Sequence, residues 1–287
     1  MNLIWFPAPA KLNLGLRIVG RRDDGYHLLQ TVFQIIDLGD ELAFEPSSDG
    51  EVRRALVEGS EAAAINAVAP SQDLCVRAAL ALRAATGVTR GVRIHLRKRI
   101  PLGGGLGGGS SDAATTLRVL DRMWGTRLGV DRLAELALPL GADVPVFVRG
   151  RSAVGEGVGE QLTPVALPEA CFVVVHPGVP VATRDVFQAP ELTRNSAILT
   201  IRALLASGDV NDCEPVVRAR VPEVAAALDW LGGFAAARLT GTGACIYARF
   251  ASADTAAEVV RQVPQPWRAW VVHGLAESPL LQRLEEL

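Results

Sequence analysis

The sequence predicts an α+β fold. Strand-like and helix-like segments mix without the regular alternation of a parallel α/β sheet. The 287 residues suffice for one large or two modest domains. A Pro- and Ala-containing link over residues 161–169 suggests the second choice, with domains at 1–160 and 161–287. No internal repeat or low-complexity tail interrupts this plan.

Taken in order, Leu12, Leu14, Leu16 and Ile18 alternate with Asn13, Gly15, Arg17 and Val19, which predicts a strand with one buried face. Asp23, Asp24 and Gly25 signal a turn, and Tyr26 and His27 stand at its exit. Residues 31–38 and 41–45 read as strands joined by a turn at Gly39 and Asp40, and 51–58 as an edge strand. Residues 59–72 have little periodicity and read as a connector with room for a short helix. Residues 74–86 form an Ala- and Leu-rich helix ended by Gly87.

Val92, Ile94 and Leu96 alternate with Arg93, His95 and Arg97, as in a half-buried strand. Leu117, Leu120 and Trp124 then recur at helical spacing behind Ser110 and Ser111. Asp131 is expected to cap a helix through Leu138, and 153–160 to form a glycine-interrupted strand. Residues 171–175 read as a buried strand leading to a turn at 177–180, with Thr183 and Phe187 in the following loop. Helices are expected near 197–206, 214–220, 222–232 and 253–262, and strands over 235–239, 245–250 and 268–272.

Composition narrows the function classes. Hydrophobic residues make up 49% and charged residues 21%, ordinary for a globular protein. A net charge of −2 gives no basic field for nucleic acid. No apolar run approaches the roughly 18 residues of a membrane span, and the first residues lack the pattern of a secretory signal. Cys75, Cys171, Cys213 and Cys245 are scattered without a C-x-x-C pair. They read as buried thiols, and a reducing cytoplasm is the expected compartment.

Between the strand at 92–97 and the helix behind it lie Pro101, Leu102, Gly103, Gly104, Gly105, Leu106, Gly107, Gly108, Gly109, Ser110 and Ser111. Strand, glycine loop and helix start together suit a phosphate chain, because free amides and the positive end of the helix dipole meet there. The spacing also fits a dinucleotide fingerprint, but the acidic residue at the end of the next strand is missing. The P-loop pattern fails for want of its lysine, and the protein-kinase motifs are absent. Lys11 and Lys98 are the two lysines in a chain whose other 27 basic residues are arginine. Asp143 stands among apolar residues with Pro145 two places on, where a buried carboxylate needs a partner.

Residues 101–111 resemble the phosphate loop of the superfamily of galactokinase, homoserine kinase, mevalonate kinase and phosphomevalonate kinase, the GHMP kinases. Residues 7–14 and 239–244 resemble its first and third motifs. Residues 24–27, 141–147 and 190–195 resemble one branch of it, whose substrate is a cytidine diphosphate-linked polyol of the non-mevalonate isoprenoid pathway. The resemblance runs from residue 5 to residue 250. It implies two α+β domains with the active site in the cleft between them, and transfer of phosphate from ATP, with Mg²⁺, to the polyol's 2-hydroxyl. It also implies ATP phosphates in the 101–111 loop and a catalytic pair of Lys11 and Asp143. Tyr26, His27 and Phe187 would hold the cytosine, and Asn13, Val158 and Thr183 would bind the substrate. Two rival readings are a GHMP-type kinase of homoserine or mevalonate, and a nucleotide-binding module without catalysis.

The chemistry is consistent with this. Phosphoryl transfer rests on positioning and charge stabilisation. Asp143 would accept the hydroxyl proton, Lys11 would steady both, and loop amides would offset phosphate charge. Two residues depart from the pattern. Asp73 replaces an expected asparagine near adenine and can only accept hydrogen bonds. Asp112 suits the helix dipole but repels phosphate unless it turns away or meets Mg²⁺. No glutamate stands out as a metal ligand, which leaves Ser111 as the candidate.

Overall fold

The computed structural model describes residues 3–206 and 210–287. In chain order it has β1 (Trp5–Arg21), β2 (His27–Ser47), β3 (Val52–Gly59), α1 (Ala62–Asn66), α2 (Leu74–Thr86), β4 (Gly91–Lys98), α3 (Gly108–Met123), α4 (Val130–Ala137), α5 (Val144–Arg149), β5 (Ala153–Glu156) and β6 (Gln161–Pro164). There follow β7 (Cys171–His176), α6 (Thr183–Gln188), α7 (Ile201–Ala206), α8 (Glu214–Arg220), α9 (Pro222–Gly232), β8 (Arg238–Leu239), β9 (Ile246–Phe250), α10 (Ala253–Val260), β10 (Arg268–Leu275) and α11 (Pro279–Glu285). The α+β reading holds.

The strands join in the order β3-β4-β2-β10-β7-β9-β8, with β1 on β2 and β5 between β2 and β6. Among the described residues β3 and β4 pair in parallel, and the other ladders are antiparallel. One core packs β2 and β4 against α2, α3 and α5 through Leu42, Ile94, Leu82, Leu117 and Phe147. A second lies under α8 and α9 on β7 and β9, around Val173, Val217, Leu228 and Ile246. The third joins them, with Leu12 of β1 beside Phe172, Val174 and Tyr247.

The helix at 74–86 forms as expected. Asp73 accepts from the N–H groups of Cys75 and Val76 at 2.8 and 3.1 Å, a side-chain N-cap. Gly87 ends it in the left-handed region at φ 72°.

Several expectations need correction. The first strand is buried throughout residues 8–16: Leu12 and Leu14 join the third core, and the alternate residues Lys11 and Asn13 are bonded to Gly105, Thr31 and Thr240. The turn at Gly39 and Asp40 does not form. The strand runs through it with a register irregularity opposite Pro9 and Lys11, and Asp40 is held by distant partners. Asp131 lies inside the first turn of α4 and pairs with Arg149 at 3.0 Å; Gly129 is the N-cap. The segment 153–160 is a strand followed by a turn into β6. Thr183 and Phe187 sit on α6, not in a loop. The strand expected over 235–239 shrinks to β8. α11, unforeseen, returns to the first core through Leu280 and Leu284.

Candidate active site

The glycine run is locked onto the second glycine loop at 241–244. The carbonyl of Gly103 accepts from the N–H of Ala244 at 2.9 Å, and that of Gly104 from Cys245 at 3.1 Å. Gly105 has φ 71°, and a Cβ there would lie 2.3 Å from the carbonyl oxygen of Thr240. Only glycine fits both demands. Gly107, at φ 74°, is the N-cap of α3, and the first intrahelical bond of the helix runs from Ser111 N–H to Gly107 at 2.9 Å. The N–H groups of Gly108, Gly109 and Ser110 therefore head the helix without helical partners and give it an anion-attracting end.

Lys11 stands on β1 opposite this loop and is 2% exposed. Its Nζ donates to the carbonyl of Gly105 at 2.9 Å and to Asn13 Oδ1 at 2.5 Å, and lies 3.3 Å from Asp143 Oδ2. Asp143 precedes α5 and keeps 36% side-chain exposure, so its carboxylate reaches both the lysine and the open cleft. The partner expected for this carboxylate is present. Asn13 is more constrained than expected. Its side-chain amide donates to Thr31 Oγ1 at 2.8 Å and its backbone N–H to Thr240 Oγ1 at 2.9 Å.

At the far end of the cleft, His27 stacks on Phe187 with ring centroids 5.0 Å apart and planes 24° from parallel. Burial, with the charges of Arg194 and Arg21, holds the His27 pKa below its ordinary value. Tyr26 is 63% exposed at the turn between β1 and β2. Thr183 Oγ1 lies 2.9 Å from Thr242 Oγ1, and the N–H of Val158 donates to Glu160 at 2.6 Å.

Lys11, Asn13, Tyr26, His27, residues 101–110, Asp143, Val158, Thr183 and Phe187 all line one cavity of about 920 Å³. Ser111 does not. It is 0% exposed, and among the described residues its enclosed hydroxyl has no hydrogen-bond partner, so the metal candidate is not brought to the cavity here. Asp73 is occupied away from the cavity by its capping bonds and an ion pair with Arg54. Asp112 turns from the phosphate loop to Lys98, 2.9 Å away and also paired with Asp40. The four cysteines are buried and free. The cavity also takes in Arg21, Thr31, Lys98 and Arg184, which sequence reasoning gave no role. Only Lys98 carried a signal, as one of two lysines.

Family models match the chain in two places: the GHMP kinases N terminal domain over residues 73–151, and the GHMP kinases C terminal domain over 189–269. A protein of Ectopseudomonas mendocina (strain ymp) named 4-diphosphocytidyl-2-C-methyl-D-erythritol kinase is 56% identical over 281 residues, covering 98% of this chain and 94% of its own. One of the same name from Alkalilimnicola ehrlichii is 55% identical, covering 97% of this chain and 94% of its own. A crystal structure of 4-(cytidine 5'-diphospho)-2C-methyl-D-erythritol kinase superposes with a TM-score of 0.78 at 35% identity, over 95% of this chain and 100% of that one. The chain belongs to the 4-diphosphocytidyl-2-C-methyl-D-erythritol kinase family of the GHMP kinases.

Proposed function

We propose that this protein transfers the γ-phosphoryl group of ATP to the 2-hydroxyl of 4-diphosphocytidyl-2-C-methyl-D-erythritol, giving the 2-phosphate and ADP. The observation that carries the reading is the Lys11–Asp143 pair, 3.3 Å apart, in the cavity shared by the glycine loop and the His27–Phe187 stack. Phosphoryl transfer needs a positioned acceptor hydroxyl and fixed positive potential on the moving group. Asp143 accepts the hydroxyl proton. Lys11 ties that carboxylate to the carbonyl of Gly105, so the base and the phosphate loop keep one geometry. The amides at the head of α3 face the developing charge. Tyr26, His27 and Phe187 hold the cytosine, and the neighbourhood of Asn13, Val158 and Thr183 shapes the polyol site.

Mg²⁺ would accompany ATP and neutralise phosphate charge. Among the described residues no three His, Cys, Asp or Glu side chains cluster as a cage. Asp143, exposed to the cavity, would be the carboxylate beside such an ion. We propose the sequence boundary near 161–169 as the division between the two domains, with α11 returning to the first. Among the described residues no helix is long and apolar enough to cross a membrane; a cytoplasmic location is proposed.

The test is ADP release with ATP, Mg²⁺ and each acceptor in turn. Release that depends on the cytidine compound, and falls by about 10²–10⁴-fold in Asp143→Asn while ATP still binds, supports the reading. Release with mevalonate or homoserine instead would retain the Lys11–Asp143 chemistry and discard the cytosine site. No release with any acceptor would favour a binding module.

A further inference from the structure

We propose that Arg194 fixes His27 as its Nδ1–H tautomer and so makes the base end of the cleft accept cytosine and refuse uracil. This rests on the cytidine substrate proposed above and names what would read its base.

The geometry starts from the guanidinium, which has N–H donors and no acceptor. Nη2 of Arg194 donates to the carbonyls of Phe187 and Ala189 at 3.1 and 2.6 Å. Nη1 donates to those of Leu192 and Pro190 at 2.9 and 3.4 Å. With both ends of the fork pinned, the Nε–H has one direction, toward His27 Nε2 at 3.1 Å. That nitrogen must supply a lone pair. A neutral ring then carries its hydrogen on Nδ1, and a doubly protonated ring would turn an N–H against an N–H. The burial of the ring, then the positive charges of Arg194 and Arg21, also oppose protonation.

The same guanidinium holds the carbonyl of Phe187, whose ring lies on His27. Tautomer and ring plane are thus set together. Among the described residues Nδ1 has no hydrogen-bond partner, and it is not one of the enclosed polar atoms, while His27 lines the cleft.

Cytosine and uracil differ where such a donor would act. Cytosine N3 is a lone pair, and uracil N3 carries a hydrogen. An Nδ1–H satisfies the first and meets the second donor to donor, which disfavours the wrong base by leaving buried donors unpaired. The other tautomer would reverse the preference. Arg194 touches no base in this scheme; it is a positioning residue that acts through His27.

Two measurements on the full-length protein test this. A long-range ¹H–¹⁵N spectrum of the ¹⁵N-labelled wild type reads the tautomer. His27 Nε2 is expected at the shift of an unprotonated nitrogen and Nδ1 at that of a protonated one; the opposite pattern overturns the proposal without any variant. Calorimetry with CMP and UMP then reads the consequence. Wild type should prefer CMP by about tenfold or more. R194Q should average the tautomer and lose most of that preference, and R194K, still a donor, should recover it. A CMP preference unchanged in R194Q overturns the role of Arg194. Binding of neither nucleotide by the wild type defeats the cytidine reading and the specificity role together, while the spectrum still decides the tautomer.

Discussion

Lys98 Nζ donates to Asp112 Oδ2 at 2.9 Å beside the first turn of α3, where Lys98 also lines the cleft. The lysine is also bonded to Asp40, whose other oxygen accepts from the N–H groups of Arg99 and Ile100 at 2.6 and 2.9 Å. All three side chains are buried. One ammonium faces two carboxylates, and the carboxylate with fewer hydrogen bonds is the more easily protonated. That is Asp112, whose Oδ1 has no partner among the described residues. Burial pushes its pKa up to about 8, opposed by Lys98 and reinforced by Asp40.

The two aspartates should therefore respond differently to removal of their charge. Asp112→Asn leaves a neutral Lys98–Asp40 pair and removes the cost of holding a buried carboxyl protonated, so stability near pH 7 should rise. Asp40→Asn sets an amide against two backbone donors and a buried ammonium, and should cost about 3–5 kcal/mol. The pH dependence has a definite sign. A carboxyl whose folded pKa is raised from 3.8 to about 8 gives stability that is full below pH 3.8 and is lost as pH rises through 8. Urea denaturation across that window should show the decline in the wild type and its absence in Asp112→Asn. Equal costs for the two substitutions would refute the assignment.

Gly105→Ala should strike both the loop and its seat. The new methyl would meet the carbonyl of Thr240 at 2.3 Å, at a position with φ 71°. Backbone cannot yield as a flexible side-chain tip does, so a loss of about 2–4 kcal/mol is expected from overpacking and left-handed strain. The amides at 108–110 would shift with the loop. The readouts are a lower urea midpoint and a raised KM for ATP. An unchanged KM for ATP would separate this loop from phosphate binding.

How much of this was legible in the sequence follows from the range of each interaction. The helix at 74–86 has its cap, apolar face and terminating glycine within fifteen residues, and was read to its ends. The glycine loop likewise announces itself between a strand and a helix. Asp40 was misread as part of a turn because the partners that hold it, Lys98, Arg99 and Ile100, lie 58 to 60 positions away. Asp112 drew attention as a charge in an awkward place, but its direction depends on the same distant lysine. Ser111 sits beside Ser110 in the chain, yet one helical step takes it out of the cleft lining and encloses its hydroxyl. Resemblance supplied the residues proposed to bind the base, while the hydrogen bond from Arg194 to His27 spans 167 positions and no local pattern encodes it.

Lys11 and Asp143 should behave as one unit. Lys11→Met removes the charge beside Asp143 and the tie to the carbonyl of Gly105. Its kcat should fall by about 10²–10⁴-fold. Once the lysine is gone, the carboxylate has lost its positioning, so adding Asp143→Asn should cost little more. A double variant whose loss equals the product of the two single losses would show independent roles. Lys11→Met should also raise the KM for ATP, because Gly105 loses its restraint; Asp143→Asn should leave it near the wild-type value.

His176 at the end of β7 should give the acid limb of stability. Its Nδ1 accepts from the N–H of Gly178 at 3.2 Å, so the neutral ring carries its hydrogen on Nε2, which is enclosed and, among the described residues, unpartnered. Burial, then the charge of Arg268, lowers its pKa from 6.5 to about 4, with Glu61 opposing. A histidine depressed in this way contributes stability that is full above pH 6.5 and is lost as pH falls through 4. The loss should amount to about 1–2 kcal/mol, discounted for solvent screening. Asp112 acts in the opposite direction over part of the same range, so the wild-type profile mixes the two. In Asp112→Asn the acid decline should stand alone, and adding His176→Asn, which keeps an acceptor for Gly178, should flatten it. A decline that persists in that double variant would place the acid-sensitive group elsewhere.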